Sequence, residues 1–155
     1  MVNQLHITKT KRLSYEEFQQ VHDLWNSEFP ASLKDRFAIL LEGVKNFNHY
    51  LIEDNNGHLL AWAVYFEKDN EIRFSLIVGG EHQGKGLGKA LINMLKADLG
   101  DFYGWVIDHD NDLKENGQPY LSPLAFYEKM GFEILHGVRM ETELVKAIKV
   151  KHSKV

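Results

Sequence analysis

The chain has 155 residues, no cysteine and four more acidic than basic side chains. That length suits one domain, able to bury roughly 70% of the surface its unfolded chain would expose. The missing cysteines exclude disulfides, thiolate metal sites and cysteine nucleophiles, and the acidic balance removes the general case for nucleic acid, which needs a basic face.

The first residues, "MVNQLHITKTKRLSY", carry no apolar core of the kind a signal peptide has. The expectation is a soluble cytoplasmic protein with no membrane partner. "NQLHITKT" alternates as a first strand. In "LSYEEFQQVHDLW", Ser14 and Glu17 have capping-box spacing, and Leu13 and Phe18 stand where a hydrophobic staple would put them. Phe18, Val21, Leu24 and Trp25 then share one helical face. A second helix is predicted from Ser32, with Leu33, Phe37, Leu40, Leu41 and Val44 at helical spacing.

A strand is expected around His49 to Glu53, followed by a hairpin turn at Asn56-Gly57, where both residues tolerate positive φ. Leu59 to Phe66 is the longest apolar run. It falls far short of the about 20 residues that span a membrane and reads as a central strand covered on both faces. After "KDN", Ile72, Phe74, Leu76 and Val78 alternate along a strand from Glu71 to Val78. The loop "VGGEHQGKGLGKAL" follows, then a helix marked by Leu87, Leu91, Met94 and Leu95. "FYGWVID" is a further strand. Ser122-Pro123 opens a short helix that Gly131 closes, and "FEILHGVRMETELVKAIKV" supplies one or two last strands. The basic end "KAIKVKHSKV" reads as a solvated terminus. The order β-α-α-β-β-β-α-β-α-β-β implies an α/β fold: one mixed sheet of about six or seven strands with helices on both faces.

The loop at residues 78 to 91 is built to hold phosphate, and two familiar patterns fail on it. Gly79, Gly84 and Lys85 suit a Walker A loop, but Gly86 stands where a Mg²⁺-coordinating serine or threonine is required. Gly84 and Gly86 begin a dinucleotide fingerprint, but Lys89 replaces its third glycine. What fits is Gln83-x-x-Gly86-x-Gly88 between an alternating strand and an amphipathic helix. Some forty residues later comes "SPLAFYEKMGF", with Tyr127, Glu128, Lys129, Gly131 and Phe132. Together the two blocks resemble the GNAT superfamily of N-acetyltransferases, whose acyl-CoA signature is Q/R-x-x-G-x-G/A and whose later motif is Y-E-K-x-G-F. The element order agrees with that family over nearly the whole chain.

The resemblance implies transfer of an acetyl group from acetyl-CoA to a primary amine by direct attack in a ternary complex, with no metal. The acceptor would be a small-molecule or peptide amine, and homodimers are common among proteins of this kind. Backbone N–H groups at the helix start would cradle the pyrophosphate. The implied cofactor contacts are Ile77, Val78, Gln83, Gly84, Lys85, Gly86, Leu87, Gly88, Lys89, Ser122 and Phe126. Val78 would offer its backbone N–H to the thioester oxygen, and Tyr127 would protonate the departing thiolate. Glu71 is the expected base, with Asp108 or a water chain as rivals. Each residue also has an ordinary structural reading: Val78 a core strand residue, Tyr127 a half-buried tyrosine, Glu71 a solvated carboxylate and Ser122 a helix cap. A catalytically silent acyl-CoA-binding module is the alternative function.

Two further patterns bear on metals. Asp108, Asp110 and Asp112 imitate the start of a calcium loop, but Leu113 and Pro119 replace its glycine and glutamate. The scattered histidines offer no zinc spacing. The long connection "DHDNDLKENGQPYL" is expected to border the acceptor site with Trp25, Glu28, Phe29 and Phe37, its acidic residues suiting a cationic amine.

Overall fold

The computed structural model describes residues 5–154. It forms one seven-stranded sheet from β1 (His6–Thr10), β2 (Phe47–Glu53), β3 (Leu59–Lys68), β4 (Glu71–Val78), β5 (Phe102–Val106), β6 (Glu133–Glu141) and β7 (Lys146–His152), in the order β1-β2-β3-β4-β5-β7-β6. Only β4 and β5 run parallel; the other pairs are antiparallel. The helices are α1 (Tyr15–Glu28), α2 (Phe37–Leu40), α3 (Leu87–Asp98) and α4 (Leu124–Lys129), so the expected element order and mixed sheet are both observed. Asn3 and Gln4 of the predicted first strand lie outside the described residues. No helix among the described residues is long and apolar enough to cross a membrane.

β3 organises the core. Its alternation sends Ala61 and Ala63 into a cluster with Leu91, Ile92 and Leu95 of α3, while Trp62, Val64 and Phe66 face Val21, Trp25 and Phe37 on the other side. The strand's continuous apolarity is explained by this double coverage. Trp62 is fully buried, with the Phe37 ring 5.3 Å and the Trp25 ring 6.4 Å away, edge to face. Large buried side chains of this kind each contribute about 1.5–3 kcal/mol.

The helix starts differ in how closely they follow the pattern. Ser14 and Glu17 form the reciprocal capping box at 3.1 and 2.7 Å. The second predicted helix is broken instead: a 3-10 turn at Ala31–Leu33 precedes α2, and Asp35 between them has φ 65. Asn26 holds that residue by accepting its N–H at 2.9 Å and donating to its carboxylate at 3.0 Å. Leu33, Leu40, Leu41 and Val44 still pack against the predicted core. The spacing therefore identifies the buried face but not the continuity of the helix.

The hairpins exchange turn chemistry. Asp69 and Asn70 both have positive φ, 53 and 63, and Lys68 pairs directly with Glu71, which makes this the two-residue mirror-image turn. At Asn56-Gly57 only the glycine is left-handed. There the Asp54 carboxylate accepts the N–H groups of Asn56 and His58, giving a longer loop with a register shift at Ile52/Glu53. The basic C-terminal stretch is not a loose tail. β7 lies between β5 and β6 and buries Ala147, Ile148 and Val150.

The feature that positions the site is an opening in the sheet. β4 and β5 are paired only at Arg73–Tyr103 and Phe74–Gly104. Gly104 admits the Phe74 ring where a Cβ would come within 2.4 Å of it. Beyond this rung, Ser75 to Val78 have no partner in β5.

Candidate active site

The pairing of β3 with β4 fixes which way the free backbone points. Gly79 donates its N–H to the Leu60 carbonyl at 2.8 Å, and Ala61 is opposite Val78. Hydrogen-bonded and non-hydrogen-bonded pairs alternate along an antiparallel ladder. The N–H and C=O of Val78, and of Leu76 two residues earlier, are therefore turned away from β3 and into the opening. Gln83 donates its Nε2–H to the Val78 carbonyl at 3.2 Å, as that orientation requires.

The glycine loop then enters α3. Gly84 and Gly86 have φ 79 and 84, the left-handed region that glycine adopts without a Cβ penalty. Gly86 is the N-cap and offers no side chain, so the first N–H groups of this twelve-residue helix have no side-chain cap. At Gly88 an added Cβ would meet the Phe126 ring at 3.2 Å and the Val78 side chain at 3.6 Å. The missing side chain lets the ends of α3, α4 and β4 converge.

They enclose a cavity of about 490 Å³ lined by Ile77, Val78, Gln83, Gly84, Gly86, Leu87, Gly88, Lys89, Ser122 and Phe126, with Glu28, His82 and Tyr127 at its walls. All the predicted cofactor contacts meet here except Lys85, which is absent from the lining. Ile77 and Leu87 are themselves buried in the core. Ser122 accepts the Leu124 N–H at 3.2 Å and donates to the Ile107 carbonyl, so its hydroxyl ties α4 to the end of β5.

A second cavity, of about 440 Å³, lies beyond Tyr127. Phe29, Leu76, Tyr120, Pro123 and Tyr127 line both cavities, which makes them the boundary. Tyr127 is 5% exposed, with the rings of Phe74, Phe126 and Phe132 at 5.6, 5.1 and 5.3 Å. Burial pushes its phenol well above the ordinary tyrosine range, with a smaller push from Tyr120, so it stays protonated. Tyr120 is likewise pushed up, by burial and then by Asp112.

Glu71 does not join these residues. It binds Lys149 at 2.6 Å and Arg73 at 2.8 Å and lines neither cavity. Burial raises its carboxyl, but the hydrogen bonds from Lys149 and Arg73 and their charges outweigh that and leave it below its usual value. Asp108 is clamped by two nitrogens of Arg139, at 2.7 and 3.1 Å. The three acidic residues of the calcium-like run diverge: Asp108 to Arg139, Asp110 to the Ser122 N–H and Asp112 toward His109. No group of three His, Asp or Glu among the described residues is arranged to hold a metal.

The long connection after β5 docks on the end of α1. Ala31 donates its N–H to the Leu113 carbonyl at 2.8 Å, and Lys114 pairs with Glu28 at 3.2 Å. Glu28 also accepts the Gly80 N–H at 3.0 Å, tying the connection to the glycine loop. Trp25 and Phe29 line the second cavity, whereas Phe37 belongs to the core behind it and Glu28 lies on the first cavity. The charge expected of the second cavity is reversed: Arg36, Lys68 and Arg73 line it. Tyr120 escaped the sequence reading, and nothing in the pattern around it beyond its place in a long loop marks it.

Comparison with known proteins adds to this geometry. The family profile described as Acetyltransferase (GNAT) domain matches residues 45–134. No curated protein matches the chain by sequence. Among solved structures, an aminoglycoside 6'-N-acetyltransferase complexed with coenzyme A superposes with a TM-score of 0.68 at 16% identity, covering 97% of each chain. A GNAT-family acetyltransferase from Staphylococcus aureus gives 0.68 at 12% identity, over 96% of this chain and 98% of the other. A spermidine/spermine N-acetyltransferase from Vibrio cholerae gives 0.60 at 19%, over 96% and 92%. At these identities the likeness establishes the fold.

Proposed function

The chain belongs to the GNAT acetyltransferase family and is an acyltransferase, and from that premise we propose that it moves an acetyl group from acetyl-CoA to a primary amine. The observation that carries this reading is the junction at Tyr127. One protonated phenol stands on the boundary between a cavity walled by uncapped helix N–H groups and a second, adjoining cavity.

The residues present fit a CoA pyrophosphate. The uncapped start of α3, the left-handed glycines and Lys89 together offer backbone donors, a positive helix end and a cation. Acetyl-CoA supplies the activated acetyl group. Val78, its N–H turned into the opening, stabilises negative charge developing on the thioester oxygen. The amine nitrogen forms the new C–N bond as the C–S bond breaks, and Tyr127 passes its phenolic proton to the departing sulfur. The proton lost by the amine leaves through water and restores Tyr127. The ion pairs of Glu71 and Asp108 leave both carboxylates occupied, which favours a water path over either as base.

Thermal unfolding with and without ligand tests the cradle. CoA at about 100 times its Kd should add about 2.7 kcal/mol of stability. Stabilisation by a nucleoside triphosphate with none by CoA would overturn the reading.

A further inference from the structure

We propose that the acceptor is an amine that also carries a carboxylate on an apolar body, bound in the 440 Å³ cavity beyond Tyr127; the proposal rests on the acetyl-transfer reading above. Arg36, Lys68 and Arg73 line that cavity, and among the described residues no carboxylate does. Nearby acidic side chains are committed elsewhere: Asp35 to His22 and Asn26, Glu67 to Asn46, and Asp108 to Arg139. At the start of β4, Arg73 and Lys149 share two carboxylates, Glu71 and Asp69, the latter 3.3 Å from Arg73, so these charges balance and the surplus at the cavity is that of Arg36 and Lys68. Arg36 and Lys68 make no ion pair among the described residues.

The charge left without an ion-pair partner at this cavity is that of the solvent-facing Arg36 and Lys68, which a carboxylate complements and a second ammonium does not. Trp25, Phe29, Phe66, Trp105 and Tyr120 supply the apolar wall for the rest of the molecule. The same positive surroundings favour the neutral, attacking form of the acceptor amine over its ammonium. Polycations such as polyamines are disfavoured on both counts. The carboxylate takes no part in bond making: the nitrogen gains the acetyl group and loses one proton, and CoA leaves as the thiol.

The test is kcat/KM at saturating acetyl-CoA for two matched pairs, L-phenylalanine with phenethylamine and L-tryptophan with tryptamine, and for spermidine. The carboxylate-bearing member should be favoured by at least about tenfold, the scale of a charge-assisted contact. The Arg36→Gln/Lys68→Gln double variant should bring that ratio toward one. A preference for the decarboxylated amine or spermidine, or a ratio unchanged in the double variant, would overturn the proposal. If no amine is turned over, calorimetry on the CoA-saturated protein with N-acetylphenylalanine and N-acetylphenethylamine decides. Tighter binding of the carboxylate supports the proposal, and equal, weaker or absent binding overturns it. Failure of the acetyl-transfer reading itself is recognised separately, by the absence of thiol release from acetyl-CoA with any amine or of any thermal shift with CoA.

Discussion

The cavity at the glycine loop and the cavity beyond Tyr127 have similar volumes but are made of different material. The first is walled largely by one run of chain, residues 76–89, and presents main-chain donors at an uncapped helix end. The second is walled by side chains contributed from Trp25 through to Ala147, and its charge comes from Arg36, Lys68 and Arg73. On the proposed reading, the backbone cradle holds the part of acetyl-CoA that is common to every acceptor. The residues that line only the second cavity, Arg36, Phe66, Lys68 and Trp105 among them, can be changed without touching the lining of that cradle. The two share Tyr127, so substitutions should separate into those felt by the donor, those felt by the acceptor and those felt by the chemistry.

Tyr127→Phe should have the largest effect. It should lower kcat by about 10²–10⁴-fold, the usual worth of a positioned acid, while CoA still stabilises the protein against heat. Near-normal turnover would remove Tyr127 as the acid. Gly86→Val comes next. A β-branched residue at φ 84 costs about 1–3 kcal/mol, so CoA affinity should fall roughly tenfold or more by calorimetry, with acceptor KM little changed at saturating donor. Equal losses on both sides would mean that the two cavities are not separable.

Deletion of residues 111–117 should act the other way. It removes Lys114, which pairs with Glu28, and Leu113, which bridges to Ala31. Steady-state kinetics should show acceptor KM rising by about tenfold with only a few-fold change in CoA affinity, on the scale of losing one or two hydrogen bonds. A change confined to CoA would contradict this assignment of the loop.

The smallest effect concerns the layer under the acceptor cavity. His49 is 3% exposed, its Nδ1 accepts the Trp62 indole N–H at 3.0 Å, and burial lowers it to about 4. The unfolded chain takes up this proton near pH 6.5, before the folded one does. The His49 contribution is therefore present above pH 6.5 and declines as pH falls toward 4, by roughly 1 kcal/mol between pH 6.5 and 5.5. In urea unfolding, His49→Gln should flatten that part of the stability profile. An unchanged slope would show that His49 is not its source.

The same contrast explains what could be read in advance. The donor side is a local object: glycine spacing, a strand end and a helix start lie within a dozen residues, so Gln83, Gly86 and Gly88 carry their meaning in the order of the chain. Tyr127 is legible because its motif is also local. The acceptor wall depends on which strands become neighbours and on how far they separate, which no local pattern encodes. Tyr120 and Arg36 look like any loop residues until the long connection and the α2 region fold over β4. Glu71 lies apart from both cavities for the complementary reason. Its place at the start of the strand suggested a base, but the pairing of β5 with β7 brings Lys149 against it from a remote part of the sequence. The hairpin turns teach this on a smaller scale. Asn56-Gly57 has the preferred composition, yet Asp54 captures the loop, and the left-handed pair forms at Asp69-Asn70.

The central claim is that the two cavities serve a single transfer step. It is tested most directly by following free thiol release from saturating acetyl-CoA across a broad panel of primary amines. The account predicts release that depends on the acceptor, rises at least about tenfold above the rate without amine, and is lost in Tyr127→Phe. A protein that CoA stabilises but that releases no thiol in response to any amine would contradict it.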